Sequence, residues 1–185
     1  ALIHSIRPPS SDLPPLGEPP SCPALAGVAK YRAYLDREPA PHPALEWGLR
    51  WLERHASPPD EIVLAHHDFR TGNYLVDDGR LTAVLDWEFA GWSEPIEDVG
   101  WFCAKCWRFG SNAWEAGGIA PRETFVAAYE RASGRRVARS RIRYWEVMAH
   151  VRWATIALHQ TMRHRSGVEP SLELLYSDSQ SPRKI

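Results

Sequence analysis

Lysine is scarce in this chain of 185 residues, and its positive and negative charges nearly balance. Only three lysines occur, at positions 30, 105 and 184, and none lies in a strand-like segment. The formal net charge is −1, which argues against the clustered positive charge that nucleic acids and anionic lipids require. We therefore expect neither a nucleic acid nor a membrane as partner. The sequence carries no signal for an oligomeric state.

Cysteines and long apolar runs are also few. The three cysteines are an odd number, which fits a reducing compartment better than a disulfide scaffold. No apolar run approaches the roughly 18 residues of a membrane-spanning helix, and no charged-then-apolar leader opens the chain. We expect a cytoplasmic protein. Its hydrophobic content of 44% and nine tryptophans are enough for one domain with an aromatic core.

The patterning predicts an α+β domain over residues 1–185 that is mainly helical. Residues 8–23 are rich in proline and are predicted to form an extended connector. Apolar residues at helical spacing predict five helices, at 24–37, 43–56, 96–108, 121–133 and 140–165, the last with Ser140 as its N-cap and Gly167 as its stop. Residues 177–185 are predicted to be a frayed tail.

A β-hairpin is predicted between residues 73 and 87. Asp78-Gly79 separates two apolar segments and is typical of a two-residue turn. Such a turn puts Asn73 opposite Val84, and alternation then puts Asp86 on the same face, diagonal to Asn73 at roughly 7 Å. An amide oxygen and a carboxylate are hard ligands that suit Mg²⁺. The sequence thus predicts Asn73 and Asp86 as metal ligands.

Asp68 lies five residues before Asn73, in the segment that leads into the hairpin. From there its carboxylate reaches the space beside the metal without having to bind it. An Asp in that place can accept the proton of a substrate hydroxyl that attacks a phosphoryl group. Arg70 follows two residues later and can contact the transferred group. We predict Asp68 and Arg70 as catalytic residues.

The segment from His66 to Asn73, which reads HHDFRTGN, resembles the His-x-Asp-x4-Asn catalytic loop of protein kinases. The end of the hairpin, Leu85-Asp86-Trp87, with Gly91 after it, is closest to the aminoglycoside phosphotransferase and choline kinase-like family. This resemblance implies the C-terminal lobe of a protein kinase-like fold. It also implies ATP as co-substrate, Mg²⁺ as metal and a small-molecule hydroxyl as phosphoryl acceptor.

The resemblance also implies a role for each matching residue. Asp68 would be the catalytic base and Asn73 and Asp86 the metal ligands. His66 and Asp98 would support the loop, and a His at the end of a strand more often binds neighbouring backbone than transfers protons.

Two departures from the family pattern concern the catalytic loop itself. His67 replaces the usual glycine, and Arg70-Thr71 replaces the common His-Pro. The family's acceptor preference therefore does not carry over to this chain.

A glycine-rich nucleotide loop followed by a strand lysine does not precede the motif. In the family both belong to the N-terminal lobe, so we expect that lobe, with the nucleotide-binding residues, to be absent from this chain. The opening residues ALIHSI resemble the helix that follows the hinge between the lobes. The chain is therefore predicted to begin just after the missing half.

Two other functions fit parts of the sequence. His67-Asp68, with His55 or His66 nearby, is the type of pair that binds metal in a phosphohydrolase, although that class carries the pair on a helix. A kinase-like module that binds a ligand or partner without transferring phosphate is the second alternative. Cys103 and Cys106 have the spacing of a zinc or redox pair but fall in a predicted helix, where core packing is favoured.

Overall fold

The computed structural model describes residues 1–165 of the chain. The helices are α1 (Pro23–Leu35), α2 (Pro43–His55), α3 (Pro95–Cys103), α4 (Arg122–Ser133) and α5 (Arg139–Arg165). The strands are β1 (Val63–Ala65), β2 (Tyr74–Asp77), β3 (Arg80–Val84) and β4 (Gly91–Ser93). This arrangement is α+β and mainly helical, as the sequence predicts. Gly167 and the tail at 177–185 lie outside the described residues.

Prolines set where the helices begin. Pro23, Pro43 and Pro95 each occupy the first turn of a helix, where the missing N–H is not needed for a helical hydrogen bond. Gly134 ends α4 in the left-handed conformation, with φ of 71°. These local signals explain why the predicted helices match the structure to within a few residues.

Two of the predicted helix ends were wrong. The helix at 96–108 stops at Cys103, and residues Lys105–Trp107 form a short 3-10 helix instead. Ser140 does not cap α5, which already begins at Arg139; the carbonyl oxygen of Ala138 accepts its first hydrogen bonds. The first helix ends early because Ala104 has an extended backbone, with ψ of 145°, whereas the one-residue difference at Arg139 is within the usual uncertainty of a helix boundary.

Helix α5 is the centre of the domain. One apolar cluster joins it to α1 and α2, and its buried members are Ala24, Val28, Tyr31, Leu49, Leu52, Tyr144, Trp145, Met148 and Val151. A second cluster joins the beginning of α5 to α3 and α4 through Val99, Val126, Tyr129, Val137 and Ile142. Because α5 is covered on several sides, its apolar residues do not form a single stripe.

Helices α3 and α5 approach closely at Gly100. A Cβ atom added there would lie 2.5 Å from Cβ of Trp145 and 2.9 Å from its carbonyl carbon. We expect Gly100→Ala to lower the free energy of unfolding by about 3 kcal/mol, since the backbone of α5 would have to move. Gly27→Ala is the matched control, because its Cβ would meet only the flexible end of Met148 at 3.1 Å. Thermal denaturation that shows equal losses for both variants would contradict this.

The first and last strands form a small antiparallel sheet that leads to the site. Val63 pairs with Ser93, Leu64 with Trp92 and Ala65 with Gly91. All three residues of β1 are buried. The chain therefore leaves β1 at a fixed position, next to the start of α3.

Cys103 and Cys106 are packed in the interior. Cys103 packs with Phe102 and Ala116, whereas Cys106 packs against a different cluster around Trp107. Burial raises the pKa of both thiols to about 12, so that both stay protonated at neutral pH. Core packing, rather than a redox pair, fits these positions. Within residues 1–165, no helix combines the length and the apolar character needed to cross a membrane.

Candidate functional site

A buried carboxylate holds the loop that follows β1. Asp98, in the first turns of α3, accepts the backbone N–H groups of His66 and His67, each at 2.8 Å. Its Oδ2 atom also accepts a hydrogen bond of 3.0 Å from Nε2 of His4. Only 3% of Asp98 is exposed. One side chain thus joins α3, the loop and the N-terminal segment.

The ionised form of Asp98 is stabilised by these partners. Burial alone would raise its pKa, but the hydrogen bond and the charge of His4 and the N–H of His66 hold the pKa below its ordinary value. His4 is itself fixed from the other side, since its Nδ1 lies 2.8 Å from the hydroxyl of Tyr129.

His66 connects the loop to the end of the hairpin. The backbone N–H of Asp68 donates to Nδ1 of His66 at 3.1 Å, and Nε2 of His66 lies 2.7 Å from the carbonyl oxygen of Leu85. Because a carbonyl only accepts, Nε2 carries the proton and Nδ1 is the acceptor. The ring is fully buried. It therefore fixes the position of Asp68 relative to Asp86, the residue after Leu85.

The Asp68 carboxylate is oriented by two donors. Nδ2 of Asn73 donates to Oδ2 at 2.6 Å, and the indole N–H of Trp101 donates to Oδ1 at 3.0 Å. Nδ2 of Asn73 also donates to the backbone carbonyl of Asp68 at 2.9 Å, which closes the loop. The side chain of Asp68 is 14% exposed. A carboxylate with one fixed orientation and an accessible edge suits proton transfer to or from a bound hydroxyl.

Arg70 lies beside the same carboxylate. Its Nε is 3.5 Å from Oδ2 of Asp68, and its guanidinium lies 4.9 Å from the centre of the Trp107 ring. The neighbouring residue Thr71 donates its hydroxyl to the carbonyl of Gly117 at 2.7 Å. The Arg70-Thr71 pair is therefore held against the segment that follows α3.

The hairpin register differs from the one predicted. Asp77 pairs with Arg80 as a two-residue turn requires, but the ladder shifts between Leu75 and Val76, so that Tyr74 pairs with Val84. Asn73 does not face Val84; its carbonyl accepts the N–H of Leu85 at 2.8 Å. The extra residue is a β-bulge at position 82. The diagonal that the sequence predicts between Asn73 and Asp86 was therefore wrong.

Asp86 comes directly after the residue that faces Asn73. Its backbone is left-handed, with φ and ψ both 59°, a conformation that Asp tolerates better than most residues. It is exposed. The chain thus leaves the β-ladder at Asp86, and the Asp86 carboxylate is open to solvent. The preceding residue, Leu85, is the one whose carbonyl oxygen binds His66.

The Asn73 side-chain oxygen and the Asp86 carboxylate are chemically suited to bind Mg²⁺. The hydrogen bonds described for the Asn73 side chain use only its amide nitrogen, which leaves its oxygen as an acceptor. That oxygen and the Asp86 carboxylate are the donor types that Mg²⁺ prefers, with water and phosphate oxygens completing the shell.

The phosphohydrolase alternative requires a different arrangement. The side chains of His67 and Asp68 turn to different partners, Phe89 and Asn73, and lie on a loop rather than a helix. Over the described part of the chain, no group of three His, Cys, Asp or Glu side chains is arranged to hold a metal ion. The structure does not support that alternative.

A cavity of about 200 Å³ lies next to the loop that carries Asp68. Its walls come from α1, β4, α3 and α5, and His67 is the loop residue in its lining. Aromatic rings line it at Tyr31, Phe89, Trp92 and Trp145. Its charged lining residues are Lys30, Glu97 and Arg152. The residue before Asp68 therefore faces a space large enough for part of a small molecule.

Three residues of the site carry no short-range signal in the sequence. Trp101 belongs to the apolar core, yet its indole N–H orients Asp68. Arg152 donates to the carbonyl oxygen of His67 from α5, and its guanidinium lies 4.4 Å from the centre of the Trp101 ring. His4 reaches Asp98 from 94 residues away. Only the fold brings these side chains to the loop.

A mainly helical α+β fold of this kind forms part of the kinase-like phosphotransferase fold. Residues 1–145 match the model of the phosphotransferase enzyme family. The chain belongs to that family. No protein among those with curated functions matches it by sequence.

Solved structures show the same fold. A protein from Ralstonia eutropha JMP134 assigned as an aminoglycoside phosphotransferase superposes with a TM-score of 0.78 at 22% identity, over 97% of this chain. The macrolide 2'-phosphotransferase MphH from Brachybacterium faecium gives 0.60 at 20% identity over 99%. A choline/ethanolamine kinase family protein from Mesorhizobium loti gives 0.55 at 17% identity over 90%. This chain spans 57%, 56% and 54% of their respective lengths.

Proposed function

We propose that this chain is the catalytic and acceptor-binding lobe of a cytoplasmic kinase that moves the γ-phosphoryl group of ATP to a hydroxyl of a small molecule. The observation that carries the proposal is the Asp68 carboxylate, oriented by Asn73 and Trp101 and placed beside Arg70. Membership of the phosphotransferase family supports it. The cavity lined by His67 is the place we assign to the acceptor.

Asp68 acts as the base in this proposal. Each of its oxygens accepts one hydrogen bond and keeps a lone pair for the proton of the attacking hydroxyl. The fixed donors hold the carboxylate in one orientation, which reduces the ordering needed at the moment of reaction. Arg70 lies close enough to the reacting oxygen to contact the transferred phosphoryl group with its remaining N–H donors.

Asn73 and Asp86 would hold Mg²⁺, and His66 and Asp98 would support the loop that carries Asp68. When bound, the metal offsets the negative charge of the phosphate oxygens. The amide oxygen of Asn73 is left for this purpose because its nitrogen is used by Asp68.

We assign nucleotide binding to the remaining half of the parent protein, since the solved relatives are almost twice as long as this chain. The hairpin supports this assignment. Leu75, Val76 and Leu81 are apolar strand residues with more than half of their surface exposed. Exposed apolar side chains grouped on one two-stranded hairpin are typical of a surface that another part of a protein or a ligand covers.

The direct test is a transfer assay on the complete parent protein. ADP release is measured with ATP and Mg²⁺ against sugars, aminoglycosides, choline-like alcohols and acyl-carrier compounds, with and without EDTA. We expect at least one hydroxyl compound to increase ADP release in a manner that EDTA abolishes. If no compound in a broad panel does so and the protein still binds one of them, the non-catalytic binding module is the better description.

Asp86→Asn tests the metal ligand. The amide that replaces the carboxylate binds Mg²⁺ more weakly, so we expect turnover to fall at least about 100-fold, with partial recovery at high Mg²⁺. Glu88→Gln is the matched control, because it removes the same charge from an exposed position two residues away. Equal activities of the two variants, at all Mg²⁺ concentrations, would remove Asp86 from the site.

A further inference from the structure

His67 presents an unused acceptor atom to the cavity. Its Nδ1 lies 2.9 Å from the carbonyl oxygen of Phe89. Since a carbonyl only accepts, Nδ1 carries a proton, and in the neutral form of the ring Nε2 has a lone pair. Nε2 is buried and has no hydrogen-bond partner among residues 1–165. A buried polar atom without a partner is uncommon and unfavourable in folded proteins.

Glu97 places a second acceptor opposite the first. Its Oε2 lies 3.6 Å from Nε2 of His67 and accepts a hydrogen bond from the hydroxyl of Ser93. An ionised carboxylate accepts hydrogen bonds and donates none. Two acceptors cannot bond to each other, so this pair is complete only when a group with N–H or O–H donors lies against it. Both residues line the cavity.

The imidazole is held where it is by the fold. The backbone of His67 is left-handed, with φ of 64°, in a position where the resemblance to the family leads us to expect glycine. Its N–H is bound by Asp98, its carbonyl oxygen by Arg152 and its ring by Phe89. A side chain kept in a disfavoured backbone conformation by several contacts is a frequent feature of functional sites.

We propose that Nε2 of His67 and the Glu97 carboxylate form a two-acceptor subsite for an N–H or O–H donor group of the substrate, separate from the hydroxyl that receives phosphate. This deepens the proposed function and rests on it. The aromatic walls at Tyr31, Phe89 and Trp92 contact the carbon skeleton of the bound molecule. Asp68 is the next residue in the chain, so a substrate long enough to reach from the subsite to its carboxylate would have its other end near the base.

The test uses the complete protein labelled with ¹⁵N-histidine and three probes that differ in their donors. These are 2-aminoethanol, ethane-1,2-diol and 1,2-dimethoxyethane, the last of which has no donor. We expect the amine or the diol to shift the Nε2 resonance of His67 and to bind at least about tenfold more tightly than the ether. The probe that binds more tightly, the amine or the diol, indicates whether the substrate carries an amine or a hydroxyl at this position.

Two variants assign the binding to these atoms. In Glu97→Gln the new amide donates to Nε2 of His67 and closes the subsite, so binding of the favoured probe falls about tenfold. His67→Gly removes the ring while suiting the left-handed backbone, and it gives a similar loss. Glu88→Gln, at an exposed position, serves as the control and leaves binding unchanged.

Three results would overturn the subsite: equal binding of the ether, binding that neither variant changes, or a proton on Nε2 in the free protein at neutral pH, since an imidazolium would pair directly with Glu97. None of these measurements depends on phosphoryl transfer. Failure of the subsite is therefore distinguishable from failure of the kinase proposal, which the transfer assay and Asp68→Asn test separately.

Discussion

Asp68→Asn in the complete parent protein is expected to lower the turnover number by about 10²–10⁴-fold while the fold stays intact. The amide has the shape of the carboxylate, but it cannot take the proton of the attacking hydroxyl. One of the two donors that orient Asp68, the indole N–H of Trp101 or the amide of Asn73, keeps an acceptor. The other loses its partner, so we expect a stability cost of about 1 kcal/mol.

The measurement compares ADP release and thermal denaturation of the variant with those of the wild type. Asp60→Asn is the matched control. Asp60 is exposed, and the substitution makes the same chemical change at a position outside the hydrogen bonds of the loop. Turnover within a few-fold of wild type would exclude Asp68 as the base. A large loss of thermal stability would instead assign it a structural role.

Asp98→Ala is expected to have the largest effect on stability, a loss of about 3–5 kcal/mol in the free energy of unfolding. The change leaves the backbone N–H groups of His66 and His67 without an acceptor, along with the ring N–H of His4. These N–H groups surround the carboxylate of Asp98, a residue that is only 3% exposed. Water therefore does not readily take the place of the carboxylate as their acceptor. Asp60→Ala, on the surface, should change stability by less than about 0.5 kcal/mol.

The pH dependence of the Asp98 contribution has a defined sign. The pKa of Asp98 in the folded protein lies below its ordinary value of 3.8. Its stabilising contribution is therefore complete above pH 3.8 and is lost as the pH falls through the lowered folded-state pKa. Denaturation at a series of pH values should show a constant difference between wild type and Asp98→Ala near neutrality that narrows below pH 3.8. Hydrogen exchange at the His66 and His67 amides, unprotected in the variant, provides a second check. A difference that does not narrow in acid would contradict the ionised state of Asp98.

Local features of the fold were predictable because their causes are local. Proline at the first turn of α1, α2 and α3 marks each beginning, and Asp78-Gly79 marks the hairpin turn. The order of residues from His66 to Asn73 is sufficient to predict a loop with a base and a nearby ligand. Whether Asp68, Asn73 and Asp86 perform those roles stays a prediction until the variants are measured.

Features that depend on contacts between distant residues were not predictable. One inserted residue at position 82 shifts the ladder, and no proline or glycine marks it. Trp101 follows the pattern of a core residue, which it is, so nothing in the sequence shows that its N–H reaches Asp68. The bond from Arg152 to the carbonyl of His67 joins residues 85 positions apart. The contact of Arg152 depends on how α5 packs against the loop, which the sequence pattern does not encode at short range.

A single oxygen atom links the N-terminal segment to the loop that carries Asp68. Oδ2 of Asp98 accepts both the ring of His4 and the backbone of His66, and the ring of His66 accepts the N–H of Asp68. The backbone position of Asp68 therefore depends, through three successive hydrogen bonds, on where the first residues of the chain lie.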